Sequence, residues 1–206
     1  MAVQTIIGLK RLDIAKQRLI PHLLPIDRRR LMISMLEAVV AVAQSAGLGP
    51  VALATSEPTA PGLARKLGVT LLSDADLPWN DGLAHALASL TPRPARVLYL
   101  AGDIPLVTAA ELLAFVAAAP TPGVAIARAR DAGTNALLVT PSDAMRPTFG
   151  APRSSEVHAA AADAANLPFR VLDIAGLALD VDTIQDARDA GVLFAISGTG
   201  RGRDCG

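Results

Sequence analysis

The run Val97-Leu98-Tyr99-Leu100-Ala101, ended abruptly by Gly102-Asp103-Ile104-Pro105, restricts the possible folds more than any other stretch of the chain. It is too short for a helix and too continuously apolar for a half-exposed strand. It therefore reads as a parallel strand covered on both faces. Gly102 lets the backbone turn, and Pro105 stops the strand ahead of a helix for which Thr108 is the N-cap. Asp103 is thereby set at the carboxyl end of a central strand, the edge along which open α/β sheets bind ligands. A carboxylate there, with no cation beside it in sequence, suits a hard divalent metal such as Mg²⁺. An Asp that merely caps the turn is the alternative.

Strand and helix patterns alternate around this run. Before it come a strand at Val3–Gly8, a helix from an Asp27 N-cap to about Ser45, and a strand at Val51–Ala54. A short helix ending at Gly68, a strand at Val69–Leu72, and a helix capped by Asn80 or Asp81 and running through Leu90 follow. After it come a helix at Thr108–Ala118, strands at Val124–Ala129 and Ala136–Val139, and a helix at Ser155–Ala165. A strand at Phe169–Ile174, a short one at Leu177–Leu179 and a last helix at Ile184–Ala190 close the series. The alternation predicts a doubly wound, Rossmann-like α/β sheet, mostly parallel, and the strand-rich second half predicts a small antiparallel edge or flap. A length of 206 residues suits one domain over 1–196, with a Gly/Arg-rich tail at 197–206 expected to be disordered.

Bulk properties exclude several classes. The formal net charge is +0, so nothing points to a nucleic-acid surface. The single cysteine, Cys205, rules out a disulfide framework within the chain and argues against a cysteine-bound zinc. No signal segment and no apolar run of membrane-spanning length is evident, so a cytoplasmic protein without membrane contact is expected. Oligomeric state is open, a homodimer included.

Four constellations are able to carry chemistry. The loop after the first strand, Gly8 to Leu19, holds Lys10, Arg11, Lys16 and Arg18 where Rossmann-like folds hold phosphates. It matches neither a dinucleotide fingerprint nor a P-loop, and a merely solvated basic loop is the alternative. Asp180 and Asp182, two apart in extended chain, point the same way and could share a metal with Asp103; helix capping by Asp182 is the plainer reading. Gly133-Thr134-Asn135, with Phe149-Gly150, Ser154 and His158, offers donors to an anion. A Ser/His hydrolase is disfavoured there, because no nucleophile elbow surrounds Ser154. Trp79, in the stretch leading to Gly82, either lines a nucleobase pocket or anchors its loop.

The order of these motifs resembles the 2-phospho-L-lactate guanylyltransferase family of coenzyme F420 biosynthesis. The matching pieces are Lys10…Ala15-Lys16…Arg18-Leu19, Ala101-Gly102-Asp103-Ile104-Pro105, Gly133-Thr134-Asn135-Ala136-Leu137, Phe149-Gly150…Ser154…His158 and Asp180-Val181-Asp182-Thr183. Each is modest alone; their order and spacing over roughly residues 3–193 make the resemblance specific. It implies the nucleotide-diphospho-sugar transferase (MobA-like) fold, with GMP transferred from GTP to a small phosphorylated carboxylic acid and pyrophosphate released. The acceptor would be 2-phospho-L-lactate, phosphoenolpyruvate or 3-phosphoglycerate.

Carried over by motif, the resemblance implies Asp103, Asp180 and Asp182 as Mg²⁺ ligands and Lys16 and Arg18, with Asp103, as the catalytic set. It implies Gly8, Lys10, Lys16, Gly82 and Asp103 at the nucleotide, and Thr134, Gly150 and Ser154, with Asn135 beside Thr134, at the acceptor. Two departures stand out. Ala151-Pro152-Arg153 adds one residue before Ser154, which brings Arg153 within reach of the acceptor's carboxylate or phosphate. Gly82-Leu83-Ala84 replaces a Gly-Leu-Asn common in the family, leaving Asn80 as the candidate for base recognition. A related transferase with another nucleotide and acceptor, or a non-catalytic nucleotide-binding domain, are the competing readings.

Overall fold

The computed structural model describes residues 2–193; the tail expected to be disordered lies outside them. Seven strands form one sheet in the order β3-β2-β1-β4-β6-β5-β7. They are β1 (Gln4–Gly8), β2 (Val51–Ala54), β3 (Thr70–Leu72), β4 (Val97–Leu100), β5 (Gly123–Arg128), β6 (Thr134–Thr140) and β7 (Phe169–Leu172). β1 pairs in parallel with both β2 and β4, and β2 with β3. β6 runs antiparallel to β4 and β5, and β7 is again parallel to β5. The antiparallel part is thus one internal strand, not the edge or flap the sequence pattern suggested.

Helices α1 (Pro25–Ser45), α2 (Ala60–Leu67), α3 (Trp79–Ala88), α4 (Ala109–Ala118), α5 (Ser154–Ala164), α6 (Ala175–Ala178) and α7 (Ile184–Asp189) cover the sheet. The pleat sorts alternate residues to opposite faces. Ile7, Leu53, Leu98, Leu100 and Leu138 pack with Leu31, Met35, Leu36 and Val39 of α1 and with Leu112 and Phe115 of α4. Ile6, Ala52, Val97, Tyr99 and Val139 pack on the other side with Leu83, Ala86 and Leu87 of α3 and Ala162 of α5. An aliphatic two-sided core follows directly from the scarcity of aromatic residues.

The local signals behave unevenly. Thr108 caps α4 in a reciprocal capping box with Glu111, as its position predicts. Helix α1 starts earlier than an Asp27 cap implies, because Pro25 suits the first helical turn and places Asp27 inside it. Helix α3 likewise starts at Trp79 after Pro78, so Asn80 and Asp81 lie within its first turn and cap nothing. Leu177–Leu179 is not a strand: residues Ala175–Ala178 form a short helix, held by the Gly176 N–H donating to Glu111 Oε1 at 2.8 Å.

After β3 the chain returns to the far side of β1 to form β4, so β1 and β4 are neighbours whose following connections diverge. That is the topological switch point, where a crevice opens outside the carboxyl ends of the strands. Gly8 ends β1 there, and Ala101-Gly102-Asp103 follows β4.

Candidate active site

The basic loop after β1 is not freely solvated. Leu9, Leu12, Ala15 and Leu19 are buried, at 0–5 % exposure, while the cations between them face outward or into the crevice. Two long-range bonds brace it: the Leu12 N–H donates to Glu57 Oε2 at 2.9 Å, and Arg28 Nη1 donates to the Ala15 carbonyl at 2.8 Å. Lys16 then adopts φ 55°, a left-handed conformation uncommon for a lysine, just before a single 3-10 turn at Gln17–Leu19. Its side chain enters the crevice and is only 6 % exposed.

There the Lys16 ammonium donates to Asp103 Oδ2 and, at 2.9 Å, to Asp182 Oδ1. Arg18, mostly exposed, pairs with the other oxygen of Asp182 at 3.5 Å. The acidic segment is brought in by the backbone: the Val181 N–H donates to the Asp103 carbonyl at 3.0 Å, which fastens Asp180–Asp182 to the end of β4. Thr183, with Asp186, caps α7, so the capping role considered for Asp182 is taken by its neighbour. Asn135 Nδ2 donates to the Leu177 carbonyl at 3.0 Å and to Asp180 Oδ1 at 3.2 Å, and so orients that carboxylate.

The charges are coupled. Burial lowers the Lys16 pKa, but Asp103 and Asp182 raise it by more, so the amine stays protonated. Burial raises the Asp182 carboxyl, yet Lys16 and then Arg18 bring it below the ordinary carboxylate range. Asp180 has no such partner. Burial, and after it the Asp103 charge, push it up to about 6, against the bond from Asn135. Among the described residues no three acidic, His or Cys side chains form a ready-made metal cage. The three aspartates do meet at one strand edge, but Lys16 stands between two of them and Asp180 leans on Asn135. The donor set nevertheless fits a hard divalent ion, since it consists of carboxylate oxygens and leaves unneutralised negative charge at Asp180.

A cavity of about 210 Å³ extends from these charges along the crevice. Gly8, Lys10, Lys16, Asp103, Thr134, Gly150 and Asp182 line it, together with Trp79, Tyr99 and Phe149. Gly8 is required by packing: a Cβ there would lie 2.4 Å from Trp79 Cη2. Trp79 fills that space as a wall, with the Lys10 ammonium 5.1 Å from its ring centroid. The ring therefore both anchors its loop and lines the cavity.

Other residues named from the motifs sit elsewhere. The Asn80 amide is engaged with the backbone of Phe149: Nδ2 donates to its carbonyl at 3.0 Å, and Oδ1 accepts from its N–H at 2.8 Å. Asn80 thus holds the Phe149–Gly150 wall rather than facing the cavity. Gly82 is a packing glycine, its would-be Cβ 2.8 Å from Asp74 Cβ. Asn135 serves Asp180, as described. Arg153 precedes α5 with φ 53° and pairs with Glu156 at the surface. Ser154 is buried behind Thr134, and its Oγ donates to Thr134 Oγ1 at 3.1 Å. Glu57 and Tyr99 were not legible as site residues. Phe149 was marked only through its place beside Gly150 in the anion-binding motif.

A doubly wound sheet with a lysine among strand-end aspartates at its switch point has the architecture of the nucleotide-diphospho-sugar transferase fold. Solved structures share the architecture. A protein from Desulfovibrio desulfuricans G20 assigned as a nucleotide-diphospho-sugar transferase superposes with a TM-score of 0.73 at 16 % identity, over 97 % of this chain and 90 % of that one. The 4-diphosphocytidyl-2C-methyl-D-erythritol synthase of Anaerococcus prevotii gives 0.62 at 11 % identity, over 97 % and 99 %. At such identities the likeness concerns the fold alone. Within that class, the chain belongs to the CofC-like guanylyl transferase family, whose model matches residues 3–200. The phosphoenolpyruvate guanylyltransferase of Sphaerobacter thermophilus is 36 % identical over 192 residues, 92 % of each chain. No helix among the described residues is long and apolar enough to cross a membrane.

Proposed function

We propose that the protein transfers GMP from GTP to a small phosphorylated carboxylic acid, releasing pyrophosphate, as a step of coenzyme F420 biosynthesis. Of 2-phospho-L-lactate, phosphoenolpyruvate and 3-phosphoglycerate, we favour phosphoenolpyruvate because relatives covering nearly the whole chain carry that name. The observation that carries the reading is the meeting of Lys16 with Asp103 and Asp182 at the mouth of a cavity lined by Lys10, Thr134 and Gly150.

In the reaction, a phosphate oxygen of the acceptor attacks the α-phosphorus of GTP, forming one P–O bond as the bond to pyrophosphate breaks. Both partners are anionic, so charge must be screened. Lys16, whose amine stays protonated, and Arg18 stabilise charge on the α-phosphate and the departing pyrophosphate. Lys10 leaves the Trp79 ring for a phosphate oxygen. Thr134 and the Gly150 backbone receive the acceptor. An acceptor phosphate is already ionised at neutral pH, so no general base is needed. Asp103, Asp180 and Asp182 would hold Mg²⁺, which supplies Lewis-acid neutralisation of the phosphates when bound.

Incubation with GTP and Mg²⁺, with each of the three acids in turn, and mass spectrometry for the GMP adduct tests this. The expected product is the guanylylated phosphoenolpyruvate. No adduct from any of the acids would overturn the transfer, and an adduct from another of the acids alone would overturn the choice of phosphoenolpyruvate.

A further inference from the structure

The nucleotidyl transfer described above uses no imidazole, yet His158 is wholly buried on α5 in the second layer behind the cavity. It packs edge-on against Phe149, with ring centroids 5.3 Å apart. Burial pushes it down to about 4, so it carries a single ring proton at neutral pH.

Its partners decide which nitrogen holds that proton. The Thr148 N–H donates to Nε2 at 2.8 Å, so Nε2 must present its lone pair. The proton therefore sits on Nδ1. Nδ1 lies 3.0 Å from Thr134 Oγ1 and donates to it. Ser154 Oγ donates to the same oxygen at 3.1 Å. A hydroxyl oxygen accepts two hydrogen bonds and donates one. With both acceptor positions of Thr134 filled from behind, only its own O–H is left to use. No acceptor among the described residues takes that hydrogen, and Thr134 lines the cavity beside Asp103 and Gly150.

We propose that His158 is a positioning residue that makes the Thr134 hydroxyl an obligate donor into the cavity, so that this wall selects an anionic oxygen, carboxylate or phosphate. The chain of bonds runs one way, from the Thr148 amide through the imidazole and Thr134 to the ligand. A ligand group that must itself donate finds no acceptor there. The inference rests on the cavity being the acceptor end of the transfer site.

Two substitutions separate positioning from bulk. His158→Asn keeps an amide donor near the place of Nδ1 but does not reach the Thr148 amide. His158→Gln reaches Thr148 through its carbonyl but withdraws the donor from Thr134. Phosphoenolpyruvate binding to the full chain with Mg²⁺ is measured by titration calorimetry, and the tautomer of wild-type His158 by nitrogen NMR. The Nδ1-protonated form is expected. Affinity should hold within about threefold in the Asn variant and fall about tenfold in the Gln variant, the loss of one oriented hydrogen bond.

An Nε2-protonated ring, or equal binding by both folded variants, overturns the proposal. So does a wild-type protein that binds no phosphoenolpyruvate. If a variant does not fold, the tautomer decides alone. A wild-type protein that binds the acid but forms no adduct with GTP sinks the transferase reading and leaves this one standing.

Discussion

Replacing Lys16 by Met removes the one cation standing between Asp103 and Asp182 while keeping much of the side chain's bulk. The lysine is 6 % exposed, and its partners are 22 % and 43 % exposed. Removing one member of a fully buried pair costs about 3–5 kcal/mol, because the remaining charge is left uncompensated. Both carboxylates here touch solvent, which screens them, so a loss of about 2–3 kcal/mol is the fair value. In a protein of this size that lowers Tm by about 4–12 °C. The assay is thermal melting at neutral pH, first in chelator and then with millimolar Mg²⁺. Lys16→Met should melt lower than wild type in chelator and recover most of the difference with Mg²⁺, since a divalent ion replaces the lost charge. Wild type should respond less, because its own ammonium competes for the same oxygens. The variant should also lose guanylyl transfer. A variant that melts with wild type in chelator, with Mg²⁺ shifting both equally, would refute the reasoning about Lys16 and about the metal together.

Three further outcomes are expected. Gly8→Ala places a methyl 2.4 Å from Trp79, so the ring must move; overpacking of this kind costs about 1–3 kcal/mol. Because Trp79 is the single tryptophan, the shift is read directly in intrinsic fluorescence, and an unchanged spectrum would contradict the packing argument. Asn80→Ala removes both bonds to the Phe149 backbone, so KM for the acceptor should rise several-fold, about the effect of one to two net hydrogen bonds, while KM for GTP changes little; the reverse split would return Asn80 to the base. His158 has a depressed pKa of about 4, against 6.5 in the unfolded chain, so the unfolded state takes up its proton first as pH falls. Its stabilisation is complete above pH 6.5 and is lost between 6.5 and 4, about 3 kcal/mol in all. Wild type should therefore lose more stability than His158→Gln over that window in urea titrations, and parallel curves would count against a buried neutral imidazole.

How much could be read in advance depended on the range of each interaction. Asp103 was legible because an apolar run, a glycine and a proline mark the strand end within nine residues. The doubly wound sheet followed from alternation, but the strand order that puts the switch point between β1 and β4 did not. The convergence of Asp180 and Asp182 on Asp103 was suggested by residue type, but the bond that enforces it, Val181 N–H to the Asp103 carbonyl, spans most of the second half of the chain. Asn80 was read as a cap or a base contact because nothing local betrays a partner 69 positions away at Phe149. Leu177–Leu179 looked like a strand until the Glu111 carboxylate took the Gly176 N–H. Glu57, which braces the basic loop through Leu12, left no pattern at all. Lys16 was read as a cation at the phosphates, and its side chain does enter the crevice, but its pairing with two aspartates depends on a left-handed backbone that no propensity favours for lysine.

The central claim is that Asp103, at the end of β4, supports nucleotidyl transfer rather than the fold. Pyrophosphate release from GTP and phosphoenolpyruvate with Mg²⁺, compared between wild type and Asp103→Ala, tests it most directly. The account predicts a folded variant whose turnover falls by about a hundredfold to a thousandfold or more, the scale of removing one electrostatic stabiliser. An Asp103→Ala protein that turns over at the wild-type rate would contradict it.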